Sequence, residues 1–82
     1  NSSFLSIYAL FPMIHRFGEK LRTLRRRHKM TQQELADQIE TVQSYVSLLE
    51  RGEREPSAEI VLRLSLIFNI SADQLLQDNL DV

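Results

Sequence analysis

From Phe17 onward the apolar positions recur at helical spacing, and the intervals between the apolar runs carry helix start and stop residues. Phe17, Leu21, Leu24 and His28 share one face of a first predicted helix, about Phe17 to His28, with basic residues around the rest. Thr31 and Glu34 have capping-box spacing: a threonine hydroxyl accepts from the backbone N–H three residues on, and the glutamate reaches back to the threonine N–H. A second, short helix therefore starts at Thr31, buries Leu35, Ala36 and Ile39, and ends near Ile39. After a brief turn at Glu40 and Thr41, Val42 to Arg51 reads as a third helix with Val46 and Leu49 inward and Gly52 as its C-terminal cap.

Pro56 closes a charged loop and disfavours helix just before it, and Ser57 then caps a fourth helix, about Ala58 to Phe68. That helix is the most apolar in the chain, with Ile60, Val61, Leu62, Leu64, Leu66, Ile67 and Phe68 covering more than one face. It is predicted to be central to the core, with part of its surface left for a partner subunit. Ser71 and Gln74 form a second capping-box pair, opening a fifth helix that buries Leu75 and Leu76. The pattern is all-α: five helices and no strand.

Length and composition narrow the class. At 82 residues, 43% apolar and 26% charged, the chain makes one globular core rather than two, and is neither disordered nor a membrane protein. It has no cysteine, which removes disulfides, cysteine zinc sites and thiol chemistry. Its two histidines, His15 and His28, lack the spacing of a metal site. No nucleophile is paired with a histidine and a carboxylate, and no glycine-rich phosphate loop exists, so an enzyme is not expected and neither is a cofactor.

The first fifteen residues stand apart as an extension or arm. Phe4 to Phe11 is apolar without periodicity, too short to span a bilayer, and lacks the basic start and small-residue cleavage site of a signal peptide. It reads as an upstream extension or expression remnant ahead of a natural start at Met13, or else as an arm packing on the domain or a second subunit. Residues 79–82 read as a tail.

The formal net charge of −1 divides unevenly: residues 1–29 carry +6 and residues 30–82 carry −7. Phosphate attraction follows the local field, so a basic first helix is able to face DNA while the acidic remainder faces away; a merely solvated basic face is the plainer alternative.

Two short helices joined by a tight turn, the second exposing small polar residues, make the geometry of a helix-turn-helix. The segment TQQELADQIETVQSYVSLLERG resembles the helix-turn-helix of the Xre-like family, which includes phage lambda-type repressors and Cro proteins. Residues 17–78 are similar to that five-helix domain, with REPS and the apolar fourth helix in the family's order. The resemblance implies that Gln32 approaches a backbone phosphate while bracing the recognition helix, with Gln33 nearby. It places Val42, Gln43, Ser44, Ser47 and Leu48 in the groove, and leaves Tyr45 either packing or reaching a phosphate.

Of the groove-facing residues Gln43 is the best reader, because a carboxamide pairs with adenine N6 and N7. Arg51, Arg54, Lys20 and Arg22 are the expected phosphate contacts. Arg25 and Glu50 match the family's structural ion pair. The sequence departs from the family at Glu40, where glycine is usual because the turn favours a positive φ; a side chain there is strained by about 1 kcal/mol.

The expectation is a sequence-specific, double-stranded-DNA-binding regulator, more specifically a repressor, acting as a homodimer on a palindromic site. It is bacterial or phage-encoded and works in the cytoplasm at the nucleoid. No membrane and no small-molecule ligand is expected. The rival from another class is a protein-interaction module that keeps the fold without binding DNA, which the acidic second half and apolar leader favour.

Overall fold

Three of the five helices start at a neighbouring side chain that caps them, and two do not. The computed structural model describes residues 15–82, so the readings made for residues 1–14 lie outside the described residues. Within it α1 spans Phe17–Arg27, α2 Gln32–Gln38, α3 Gln43–Glu50, α4 Ala58–Phe68 and α5 Ala72–Leu76, and no strand occurs among the described residues. Both capping boxes form: Thr31 Oγ1 accepts from Glu34 N at 3.0 Å and Ser71 Oγ from Gln74 N at 3.1 Å, with each glutamate or glutamine side chain returning to its cap. Ser57 caps α4 through Ile60 N, and Val42 is an extended N-cap for α3 with no side-chain bond.

The start of α1 is capped from the far end of the chain. The Asp78 carboxylate accepts from the backbone N–H groups of His15 and Arg16, each at 2.9 Å at closest, which satisfies donors that a helix start leaves orphaned. Arg16 returns Nη1 to the Asp78 carbonyl at 2.7 Å and Nη2 to Asp81 at 2.9 Å. The last residues, expected as a tail, are thus tied to α1.

Three helices end in the same motif. The N–H beyond the turn reaches back five residues, Met30 to Arg25, Thr41 to Ala36 and Glu53 to Leu48, with a left-handed residue between. Those residues are Lys29 at φ 56°, Glu40 at φ 58° and Gly52 at φ 74°; Asn69 at φ 53° ends α4 similarly. The positive φ expected at Glu40 is present, and only one of the four positions is glycine.

The core is built from Leu21 and Leu24 of α1, Leu35, Ala36 and Ile39 at α2, Val46 and Leu49 of α3, Leu64 and Phe68 of α4, and Leu75 of α5, all buried. Each fully buried Leu, Ile or Val contributes about 1.5–3 kcal/mol relative to exposure. His28, expected on the apolar face of α1, lies just past the helix and is exposed, with its ring 4.9 Å from that of Phe68. Arg63 of α4 donates to the Ile39 carbonyl at 2.7 Å, holding α4 to the end of α2. As expected for its composition α4 overfills the core: Leu62 and Leu66 remain 58% and 73% exposed.

Candidate nucleic-acid interface

The unit formed by α2, the turn Ile39 to Val42 and α3 presents one polar edge. Buried Leu35, Ala36, Ile39, Val46 and Leu49 fix the angle between the two helices. Val42, Gln43 and Ser44 are left in water at the start of α3, and Tyr45, Ser47 and Leu48 are half-buried along it.

A chain of side-chain bonds runs from the interior to that edge. At its inner end the fully buried Glu50 carboxylate accepts from Arg25 Nε at 2.6 Å and Arg25 Nη2 at 3.0 Å, with Arg22 Nε at 3.3 Å on the same oxygen. Arg25 is itself braced by the Met30 carbonyl at 2.9 Å. Gln32 Nε2 donates to Glu50 Oε1 at 3.0 Å, and Gln43 Nε2 donates to Gln32 Oε1 at 2.5 Å.

The order of donors is forced. An ionised carboxylate only accepts, so Gln32 turns its NH2 toward Glu50 and its oxygen toward Gln43, which in turn offers an NH2. Gln43 is exposed, and its carbonyl oxygen and second N–H enter no hydrogen bond among the described residues; these are the pair a carboxamide needs to meet adenine N6 and N7. Burial pushes the Glu50 carboxyl up, but Arg25, Gln32 and Arg22 outweigh it and hold the group below the usual carboxylate range. The anchor of the chain is therefore charged at neutral pH.

The remaining expected contacts fall around this edge. Gln33 is exposed and donates to Asp37 at 2.9 Å. Tyr45 packs on the core with the Arg54 guanidinium 6.0 Å from its ring centroid. Arg51 is half-exposed, with Nη1 3.4 Å from Glu53.

Lys20 does not belong with them. It is 1% exposed, and its ammonium donates to the carbonyls of Gln74 at 2.7 Å and Gln77 at 2.5 Å, capping the C-terminal end of α5. Burial lowers its pKa, and Arg16 lowers it further. The expected phosphate contact is thus a structural lysine, because its position on α1 faces α5 rather than solvent.

The reading from sequence also missed Gly18. A Cβ built there lies 2.5 Å from both the Leu49 and Glu50 carbonyl oxygens, so α1 crosses α3 at a distance only glycine allows. A glycine inside a helical pattern, next to Phe17 and three residues before Leu21, was the available signal for such a crossing.

The comparisons with known proteins agree with this geometry. The family model HTH_3, described as Helix-turn-helix, matches residues 21–75. The chain belongs to the helix-turn-helix family of transcriptional regulators, of the lambda-repressor and Xre type. It is similar to the competence pilus inhibition repressor of Acinetobacter baylyi, 42% identical over 66 residues, covering 78% of this chain and 60% of that protein. It is also similar to the uncharacterized HTH-type transcriptional regulator YqaE of Bacillus subtilis, 34% identical over 61 residues, covering 74% and 53%. The chain thus spans between half and two thirds of the length of these relatives.

Among solved structures, the P22 c2 repressor in complex with synthetic operator 9T is 35% identical with a TM-score of 0.70, covering 73% of this chain and 91% of that one. The restriction-modification controller protein C.AhdI from Aeromonas hydrophila is 34% identical with a TM-score of 0.68, covering 76% and 94%. Among the described residues no helix is long and apolar enough to cross a membrane.

Proposed function

We propose that this chain is a sequence-specific, double-stranded-DNA-binding transcriptional repressor that acts as a homodimer on a palindromic site in the cytoplasm. The observation that carries the reading is Gln43, exposed at the start of α3 and held by a chain through Gln32 and Glu50 to Arg25 that leaves its carbonyl oxygen and one N–H unengaged. A reader held before it meets a base loses less side-chain entropy on binding. Gln32, Gln33, Val42, Ser44, Tyr45, Ser47 and Leu48 complete the reading face, with Arg22, Arg51 and Arg54 at phosphates. The similarity to a repressor solved with its operator supports the same direction.

Two copies with recognition helices about 34 Å apart read successive major grooves. The test is selection from random duplexes at stated salt. Enrichment of an inverted-repeat motif is expected, with two protein chains bound per duplex; recovery of no motif would sink the reading. The second reading, a protein-interaction module, draws on exposed Leu62 and Leu66 of α4. It gains if no duplex is enriched while the fold is intact.

A further inference from the structure

The basic residues of α1 differ in what holds them. Arg16 is engaged with Asp78 and Asp81, Lys20 caps α5, Arg25 is committed to Glu50 and Met30, and Arg27 reaches the Val82 carbonyl at 3.3 Å. Arg26 is different. It is exposed, and among the described residues it enters none of the ion pairs.

Arg26 lines a cleft of about 420 Å³ between α1 and the C-terminal end of α3, together with Arg22 of α1 and Arg51 at the end of α3. Arg22 and Arg51 keep 42% and 51% of their side-chain surface exposed. Two acids also line it: Glu50 is buried against Arg25 and accepts from Arg22 Nε at 3.3 Å, and Glu19 lies 3.6 Å from Arg16; Arg51 lies 3.4 Å from Glu53. Three arginines therefore line one opening; Arg22 and Arg51 are partly offset by their acids, and Arg26 is in none of the ion pairs among the described residues. A planar guanidinium is suited to bidentate bonds with phosphate oxygens.

The position of the cleft matches a duplex. The eight residues of α3 span about 12 Å, and the major groove is about 12 Å wide. With Gln43 at the entry of α3 against base edges, the opposite end of the helix meets the strand that borders the groove.

We propose that Arg22, Arg26 and Arg51 form a clasp for a backbone phosphate of that bordering strand, with Arg26 supplying a direct contact. The inference rests on the DNA-binding reading and adds to it a site and a residue outside the reading face. Phosphate contacts fix register and orientation without distinguishing sequence, so the clasp sets affinity and salt dependence while Gln43 sets base choice.

The test uses the whole chain and its selected duplex, with affinity measured across a salt series for the wild type, Arg26→Gln and Arg27→Gln. Arg27→Gln removes the same charge one residue along the same helix and is the control for net charge. Expected for Arg26→Gln is a loss of about tenfold in affinity, similar on selected and scrambled duplexes, with an unchanged melting temperature. The slope of log K against log salt is expected to become shallower by about 0.9 for each chain bound.

Equal losses for both variants, or no loss for Arg26→Gln while the wild type binds tightly, overturns the clasp and leaves the DNA-binding reading standing. Failure of the wild type to bind any selected duplex defeats the reading beneath it. In a second arm, inorganic phosphate is titrated at constant ionic strength. Saturable shifts of the Arg26 side-chain N–H resonance without DNA would assign the cleft to a free anion and overturn the duplex assignment.

Discussion

Gly18 of α1 lies against the backbone of Glu50 at the end of α3, so close that a Cβ on Gly18 falls 2.5 Å from the Glu50 carbonyl oxygen. The contact sets how deeply the basic helix seats on the recognition helix. Gly18→Ala therefore forces backbone apart at this crossing. Overpacking costs about 3 kcal/mol at the upper end of its range, and alanine returns about 1 kcal/mol of helix propensity. The expected net loss lowers the melting temperature by roughly 8 °C or more for a domain of this size, measurable by circular dichroism.

Removing one partner of the buried Arg25 and Glu50 pair leaves the other uncompensated. Glu50→Leu is expected to destabilise by about 3–5 kcal/mol in urea titration, and Arg25→Met by a similar amount. The double variant should recover much of the loss, since a buried ion pair contributes little beyond an apolar replacement of similar volume. A double variant as unstable as the sum of the singles would show that the pair is not the shared cause.

The same carboxylate makes stability depend on pH in a stated direction. Because Glu50 is held below its ordinary value when folded, the unfolded chain binds more protons in the interval between the two values. Its contribution is whole above about pH 4.3, the unfolded value, and drains away as pH falls through the folded value. The urea midpoint of wild type should therefore approach that of Glu50→Gln as pH is taken below about 4.3. Parallel profiles for the two proteins would contradict the assignment.

Lys20 and Gln43 give opposite outcomes in the same pair of assays. Lys20→Met keeps the stem but removes the donor to two carbonyls at the end of α5, and is expected to cost about 1–3 kcal/mol of stability. The salt slope for DNA should not change. Gln43→Ala should leave the melting temperature within error and lose discrimination at one base position by about 1–3 kcal/mol. A shallower salt slope for Lys20→Met would restore it to the phosphate contacts.

Glu40 offers a stabilising change. Its φ of 58° is relieved by Glu40→Gly, while the added freedom of glycine in the unfolded chain takes back part of the gain. A net increase of about 0.5–1 kcal/mol is expected, seen as a higher urea midpoint with unchanged slope. No change, or a loss, would mean that Glu40 makes a compensating contact.

The sequence by itself determined the parts whose causes lie within one helical turn. Thr31 with Glu34 and Ser71 with Gln74 name their helix starts because donor and acceptor are three residues apart. The spacing of Leu35, Ala36, Ile39, Val46 and Leu49 defined the helix-turn-helix because each periodic apolar stripe needs a partner stripe. Gln43 on the outward side of α3 followed from the same periodicity, whereas Arg25 opposite Glu50 was legible only through a family resemblance, since nothing local joins residues 25 apart.

Tertiary structure decided which charges were free. A basic residue on α1 has the same local pattern whether it meets water, as Arg26 does, or the end of another helix, as Lys20 does. Likewise nothing near Asp78 announces that its carboxylate caps a helix start 63 residues earlier in the chain. Those outcomes depend on how close and at what angle the helices cross, and at α1 and α3 that crossing depends on the missing side chain of Gly18.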